Sequence, residues 1–423
     1  MAAPRVVRSD EEIRAAWEAA QGRSQFCRKL AIGYNPVAAA RLCAQAGLDY
    51  PAPHWGYRSL PQPKLPDPAE QVARDTELQR AKDERDRLRA QYRASLREAN
   101  LHRELLELAR EAWKPYAPAP VVAPKVAKSA LREDAVLSWA DWHGGEVVDY
   151  DVMQGYNAYD PAIMCRRAQY TVDTTLELLF ARHVGTTFER LWVLDLGDSI
   201  NGDLLDEAKA TNALPVNESM RLVAHVRARA LTELAAYLPV TYIAVPGNHA
   251  RRSPKMQWKL PTETGDWLIA EMVGDLCREN ERIQCVSPKS WSVNVEIRDH
   301  VHALNHGTTM AKGGFGGISW YSIQRSDGKL TALESARGRH VNFRWLGHIH
   351  QRAEIPAMDG EGELFVVGSL KGGDEYALYG LQSYSGPRQQ LVGCHEKTGV
   401  SWRYPLFVKF GDEKPSRYED LLS

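Results

Sequence analysis

At 423 residues, with 44% hydrophobic and 25% charged side chains, the chain is long enough for roughly two or three domains and apolar enough for at least one large core. A net charge of −1 excludes a chain-wide electrostatic pull toward nucleic acid, so any polyanion-binding surface has to be a local patch. Six cysteines without a C-x-x-C pair argue against a zinc ribbon and for a reducing compartment. Neither a signal-peptide-like stretch nor a membrane-length apolar run occurs, which predicts a cytoplasmic protein without membrane contact.

Residues 1–60 predict a small helical domain. Ser9-Asp10-Glu11-Glu12 starts a helix with Ile13, Ala16, Trp17 and Ala20 on one face. A second helix spans 24–31, and the turn Ile32-Gly33-Tyr34-Asn35 leads to a third from Pro36 to Ala46, stopped by Gly47. Helix, glycine-containing turn, helix resembles a helix-turn-helix, with Arg23, Arg28, Lys29 and Arg41 as candidate DNA contacts. A protein-binding bundle has the same pattern, and the alanine-rich third helix with its single arginine speaks against DNA. A Pro-rich hinge follows at 61–68. The segment 69–114 has no proline or glycine, and it places Leu88, Tyr92, Leu96 and Leu105 at helical spacing among Arg, Glu and Asp. It predicts one long helix that either self-associates as a short coiled coil or packs on the next domain; arginines at core positions interrupt a clean heptad. Residues 115–130, rich in Pro and Ala, predict an extended linker.

Residues 131–423 read as an α/β catalytic domain. Apolar runs at 135–140, 191–194 and 240–245 predict buried strands, each followed by polar residues suited to metals: Asp141-Trp142-His143, Gly197-Asp198 and Gly247-Asn248-His249. His306-Gly307 and Gly347-His348-Ile349-His350 complete the series. Strands of such a sheet present loop residues to one crevice at their carboxyl ends. The two-residue spacing within Asp141-x-His143 and His348-x-His350 puts both side chains on one side if the backbone there is extended. Each element alone is more often a cap or turn; the ordered conjunction points to two divalent ions. His300 and His302 alternate on the same strand as His306 and compete for its ligand role, but the His-Gly at the strand end favours His306. His54, His102, His183, His225, His340 and His395 lack ligand-like company.

Over 136–368 this ordered set resembles the calcineurin-like metallophosphoesterases. The resemblance implies a four-layer α/β/β/α sandwich with a dinuclear centre. One ion is implied at Asp141, His143, Asp198 and His350, and the other at Asp198, Asn248, His306 and His348, so that Asp198 bridges. His249 aligns with the catalytic histidine, and a hydroxide shared by the ions would attack phosphorus in line. Imidazole, carboxylate and amide ligands suit Mn²⁺, Fe²⁺ or Zn²⁺, with Mn²⁺ expected to support activity best. The chain departs from the family at Ala250, where an acidic residue usually orients the catalytic imidazole; Asp203 or Asp206 is a candidate replacement.

Around this site, Asn201 is expected on the substrate rim. Arg251, Arg252, Lys255 and Lys259, in a loop with Trp258, read either as a solvated loop or as phosphate contacts. The segment 312–317 reads as a flexible loop or a lid, with Phe315 available to stack on a base. The histidine pair, the helix-turn-helix-like front end and the basic loop together resemble phage and bacterial DNA repair exonucleases. The leading expectation is a DNA nuclease, in the host cytoplasm if phage-encoded. The alternatives are a phosphatase or small-molecule or cyclic-nucleotide phosphodiesterase with an assembly domain, and a DNA-binding scaffold with an inactive hydrolase domain. No ATPase motif is present, so an ATPase partner would be a separate chain.

Overall fold

The computed structural model describes residues 8–32, 35–52, 72–74, 76–93, 113–122, 131–204, 206–310 and 318–422, in two compact units that divide between Leu101 and His102. In the first unit, three helices pack together: α1 (Asp10–Ala19), α2 (Arg23–Lys29) and α3 (Pro36–Gln45). Ser9 and Glu12 close a reciprocal capping box on α1, and the Asn35 side chain caps α3. The core is small: Ile13, Ala16, Phe26, Leu30, Ala39 and Cys43 pack around it. Arg23, Arg28, Lys29 and Arg41 are exposed. Residues 76–93 are helical and every one of them is exposed. The remainder of the 69–114 helix expected from sequence lies outside the described residues, apart from 72–74, which are helical, and 113–114.

In the second unit the elements run β1 (Leu131–Trp139), α4 (Pro161–Glu177), β2 (Thr186–Asp195), α5 (Asp206–Thr211), α6 (Val216–Ala235), β3 (Val240–Ala244), α7 (Gly265–Cys277), β4 (Ile283–Val286), β5 (Ser292–Ile297), β6 (His300–Asn305), α8 (Trp320–Ser335), β7 (Phe343–Leu346), β8 (Ala353–Pro356), β9 (Glu363–Val366), β10 (Gln389–His395) and β11 (Gly399–Leu406). They form a six-stranded sheet, β11-β10-β1-β2-β3-β4, and a five-stranded sheet, β5-β6-β7-β9-β8. Side-chain alternation assigns the layers. On β1, Ala135, Leu137 and Trp139 pack with α4, α6 and α7, while Val136 packs between the sheets with Phe343, Trp345 and Phe365. The far face of the second sheet packs Leu346, Leu364 and Val366 against Ile323 of α8. The result is four layers, α/β/β/α.

Ahead of β1, the described part of the linker is tied to this unit's helices: Tyr116 N donates to Leu276 O and Val122 N to Ala236 O, while Trp113, just before it, stacks on His225. Among the described residues no helix is long and apolar enough to cross a membrane, and all six cysteines are free.

Candidate metal centre

The sheet registers explain why distant residues meet. Strands β1, β2 and β3 are parallel, with Trp139 opposite Asp195 and Asp195 opposite Ala244. Asp141, Asp198 and Asn248 therefore follow strand ends that lie side by side. In the other sheet Asn305 of β6 lies opposite Leu346 of β7, so His306 and His348 leave from the same edge.

The ligand-bearing turns are not extended, so the condition under which the two-residue spacing puts both side chains on one side is not met. Asp141, His143, Asp198, His348 and His350 all have left-handed backbones, with φ between 48° and 69°. Trp142 is buried in the helix-side core, so convergence of its neighbours comes from turning the chain at each of them. Conformations of this kind cost about 1–3 kcal/mol each and persist where the surroundings over-determine them. Two glycines allow the close approach this requires. A Cβ on Gly197, itself at φ +87°, would lie 2.4 Å from Gly247 N, and one on Gly247 would lie 2.2 Å from Asp198 Oδ1.

Two clusters result: Asp141 with His143 and His350, and Asp198 with His306 and His348. His143 Nε2 lies 3.1 Å from His350 Nε2, which is 3.5 Å from Asp141 Oδ1. His306 Nε2 lies 3.0 Å from both Asp198 Oδ2 and Asn248 Oδ1. Two ligands that each sit about 2.1 Å from one ion are separated by roughly 3.0–3.5 Å at common coordination angles, so these spacings fit a cation in each cluster. Asp198 Oδ1 accepts from the N–H groups of Asn248 and His249 at 2.7 and 2.8 Å. Oδ2, fully buried, approaches His306 without hydrogen-bond geometry and has no other protein partner, as expected of an oxygen shaped for an ion.

The far side of the His306 imidazole is fixed as a metal ligand requires, whereas His143 Nδ1 is buried without a hydrogen-bond partner. His306 Nδ1 donates to Leu196 O at 2.6 Å, which turns Nε2 to the centre. His143 Nδ1 lies 3.5 Å from the Glu146 carboxylate. Burial holds the His143 imidazole well below its ordinary pKa, helped by the Lys371 ammonium, and burial lowers His348 to about 4. Both present lone pairs near neutral pH. Burial opposes charge on His306 too, yet the Asp198 carboxylate raises it to about 10; the same pairing holds Asp198 well below the usual carboxylate range despite its own burial.

His249 also lies within reach of Asp198 and His143. Its Nδ1 donates to Asn201 O at 3.0 Å, so a backbone carbonyl orients this ring where the sequence suggested Asp203 or Asp206, both of which are exposed. Gly202, at φ +74°, packs so closely that a Cβ would lie 2.4 Å from His249 O. Asn201, expected on the substrate rim, is buried; its amide bonds Ala208 O and Asn212 Oδ1. Arg251 is spent on carbonyls of its own loop, at Asn248, Ser253 and Pro254, and Arg252 pairs with Glu263. Lys255 is exposed, and Phe315 lies outside the described residues. His302 is buried between the sheets, where it accepts from Trp345 Nε1 at 3.0 Å, and belongs to none of the ligand clusters among the described residues.

Three buried groups have no motif in the sequence. Asp266, near the start of α7, accepts from Asp198 N, Ser199 N and Gly247 N at 3.3, 2.8 and 2.8 Å, clasping two ligand loops together. Lys371 bridges Glu146 and Asp374 at 2.9 and 2.6 Å beside His143. Arg227 pairs with Asp195 at 2.7 Å, donates to Ser199 and covers the Trp142 ring. Asp266 reads in sequence as an ordinary first-turn acid, and nothing there marks its partners.

No family model and no curated protein matches the chain. Similar solved structures include a dimetal phosphatase from Danio rerio (10% identity, TM-score 0.32, covering 65% of this chain and 99% of that one). Vps29 from Entamoeba histolytica, complexed with zinc, is similar at 11% identity and TM-score 0.26, over 64% and 99% of the two chains. A Pyrococcus horikoshii hypothetical protein is similar at 13% identity and TM-score 0.33, over 69% and 94%.

Proposed function

We propose that this chain is a dinuclear-metal-dependent phosphoesterase of the calcineurin-like kind, acting as a nuclease on phosphodiester bonds in DNA. The observation that carries this reading is the position of one buried carboxylate, Asp198, in reach of His143 on one side and of His306 and His348 on the other. Asp141, His143, Asp198 and His350 would hold one ion, and Asp198, Asn248, His306 and His348 the other. Such a pair of cations supplies Lewis-acid activation of water and neutralises charge developing on a phosphoryl group. The remaining work falls to the protein. His249, with Nδ1 committed to Asn201 O, presents Nε2 to the centre, where it holds the proton for a leaving oxygen. Asp266 fixes the two loops that carry Asp198, Asn248 and His249.

Preference for DNA is supported by the exposed lysines on the loop after His249 and by exposed Arg28, Lys29 and Arg41 on the small helical unit. The helix at 76–93 supports self-association. With Leu78, Arg85 and Tyr92 at a and Ala81 and Leu88 at d, Glu77 and Glu84 fall at g and Lys82 and Arg89 at e, which pair with opposite sign in a parallel homodimer.

Purified protein with Mn²⁺ is the test, on end-labelled single- and double-stranded DNA, bis-p-nitrophenyl phosphate and the monoester. Cleavage of DNA is expected. Turnover of the small diester or monoester with untouched DNA would replace the nuclease reading with the phosphodiesterase or phosphatase one. DNA affinity should fall steeply with salt and weaken on deleting the residues before Lys64.

A further inference from the structure

On the segments that flank the ligand loops in the chain lies an aromatic pair that the hydrolysis does not use. Trp258 is 49% exposed, and its ring meets Trp291 edge to face at 5.5 Å. The pair is held by the backbone: Trp291 Nε1 donates to Trp258 O at 2.8 Å, and the Asn305 amide donates to Trp291 O at 3.3 Å. Asn305 immediately precedes His306, and Trp258 lies on the segment that leaves the site after Asn248 and His249. Both rings are thus anchored to the chain that carries metal ligands.

The neighbouring stretches of chain are basic. Lys255, Lys259 and Lys289 are exposed and make no ion pair among the described residues, whereas Arg252 nearby is paired with Glu263. A fixed, half-exposed indole with unpaired lysines close to it and to Trp291 in the chain suits one kind of ligand. The flat ring takes the face of an unpaired base, and the cations take the phosphates of the backbone. A duplex offers phosphates but keeps every base face except those of its two terminal pairs in the stack, so along its length it gains only the second contribution.

We propose that Trp258, backed by Trp291 and flanked by Lys255, Lys259 and Lys289, is a stacking subsite for an unpaired base of a single-stranded nucleic acid leading into the metal centre. The proposal rests on the phosphodiesterase reading for the meaning of the site. It adds a preference for single strands and frayed ends over blunt duplex.

The test is fluorescence anisotropy with the full-length protein in EDTA, where no strand is cut. The probes are labelled oligothymidylate, an abasic oligomer of equal length, oligouridylate and a blunt duplex. Oligothymidylate should bind about five- to a hundredfold more tightly than the abasic strand, the range expected for one stacked base. Trp258→Ala should abolish that difference and Trp258→Phe should keep most of it, while Lys255→Ala with Lys259→Ala should flatten the salt dependence for all four probes. Comparable affinity for oligouridylate would extend the subsite to RNA, and its loss would restrict it to DNA; stacking survives either result. Equal affinity of wild type for base-bearing and abasic strands, or a base preference that persists in Trp258→Ala, would overturn the proposal. The two readings fail separately. Absence of Mn²⁺-dependent cleavage of every ester would sink the phosphodiesterase reading whatever the binding data show.

Discussion

At the scale of single residues, the centre is a set of backbone conformations as much as a set of side chains. Asp141, His143, Asp198, His348 and His350 adopt left-handed φ because their side chains must turn back toward one point from strands that end side by side. That these residues converge was legible in the sequence, since Asp, Asn and His placed after apolar runs are few and their order is specific. The left-handed turns were not, because the same residue types fit an extended strand end. Asp266 was not legible either, since a first-turn acid on a helix has the same appearance whether it faces solvent or three amides. Replacing it with Asn turns one acceptor oxygen into a donor facing N–H groups. Asp266→Asn should weaken Mn²⁺ affinity and turnover by roughly 10–100-fold without unfolding the protein, as measured by calorimetric titration, circular dichroism and initial rates. Unchanged metal affinity would assign Asp266 to the fold alone. His249→Ala should abolish turnover with both ions still bound; loss of metal in that variant would make His249 a ligand.

His302 carries a separate consequence. Burial lowers its pKa to about 3, and it accepts from Trp345 Nε1 in the neutral form. The unfolded chain then binds one more proton than the fold between about pH 6.5 and pH 3. This histidine therefore costs no stability above pH 6.5, and stability falls as pH drops, by up to about 1.4 kcal/mol per pH unit. Urea unfolding of His302→Phe should show a shallower loss of stability from pH 6 to pH 4 than wild type. An identical slope would contradict the assignment.

Among the elements, parallel strands do the positioning. Three neighbouring strands of one sheet and two of the other stop in register, and the ligands follow within one to four residues. Hydrophobic runs made β1, β2 and β3 readable in the sequence. The short strands β7, β8 and β9 carry four residues each, too few for a periodic signal. The three helices of the first unit were also readable, through the Ser9–Glu12 box, Asn35-Pro36 and Gly47. The helix at 76–93 presents its a and d positions to solvent, so its prediction concerns a second copy. Light scattering should find a dimer that Glu77→Lys with Glu84→Lys dissociates. Mixing that variant with one carrying Lys82→Glu and Arg89→Glu should restore pairing. A monomeric wild type, or a dimer indifferent to these charges, would leave the helix without that role.

For the whole molecule, the four layers place the centre where the edges of two sheets meet, so the core between them, with Val136, Leu194, Phe343 and Trp345, sets the distance between the two ligand clusters. Asp198 comes from one sheet and His306 and His348 from the other, yet they lie within one ligand's reach. That makes the bridging carboxylate the point on which the account turns. The most direct measurement is the Mn²⁺ stoichiometry and affinity of wild type and Asp198→Ala, by calorimetry and metal analysis on folded protein, with hydrolysis of bis-p-nitrophenyl phosphate followed in the same samples. The account predicts two ions per chain in wild type, both sites emptied or badly weakened in Asp198→Ala, and hydrolysis lost with them. Two tightly bound ions in Asp198→Ala, or a single ion in a fully active wild type, would contradict it.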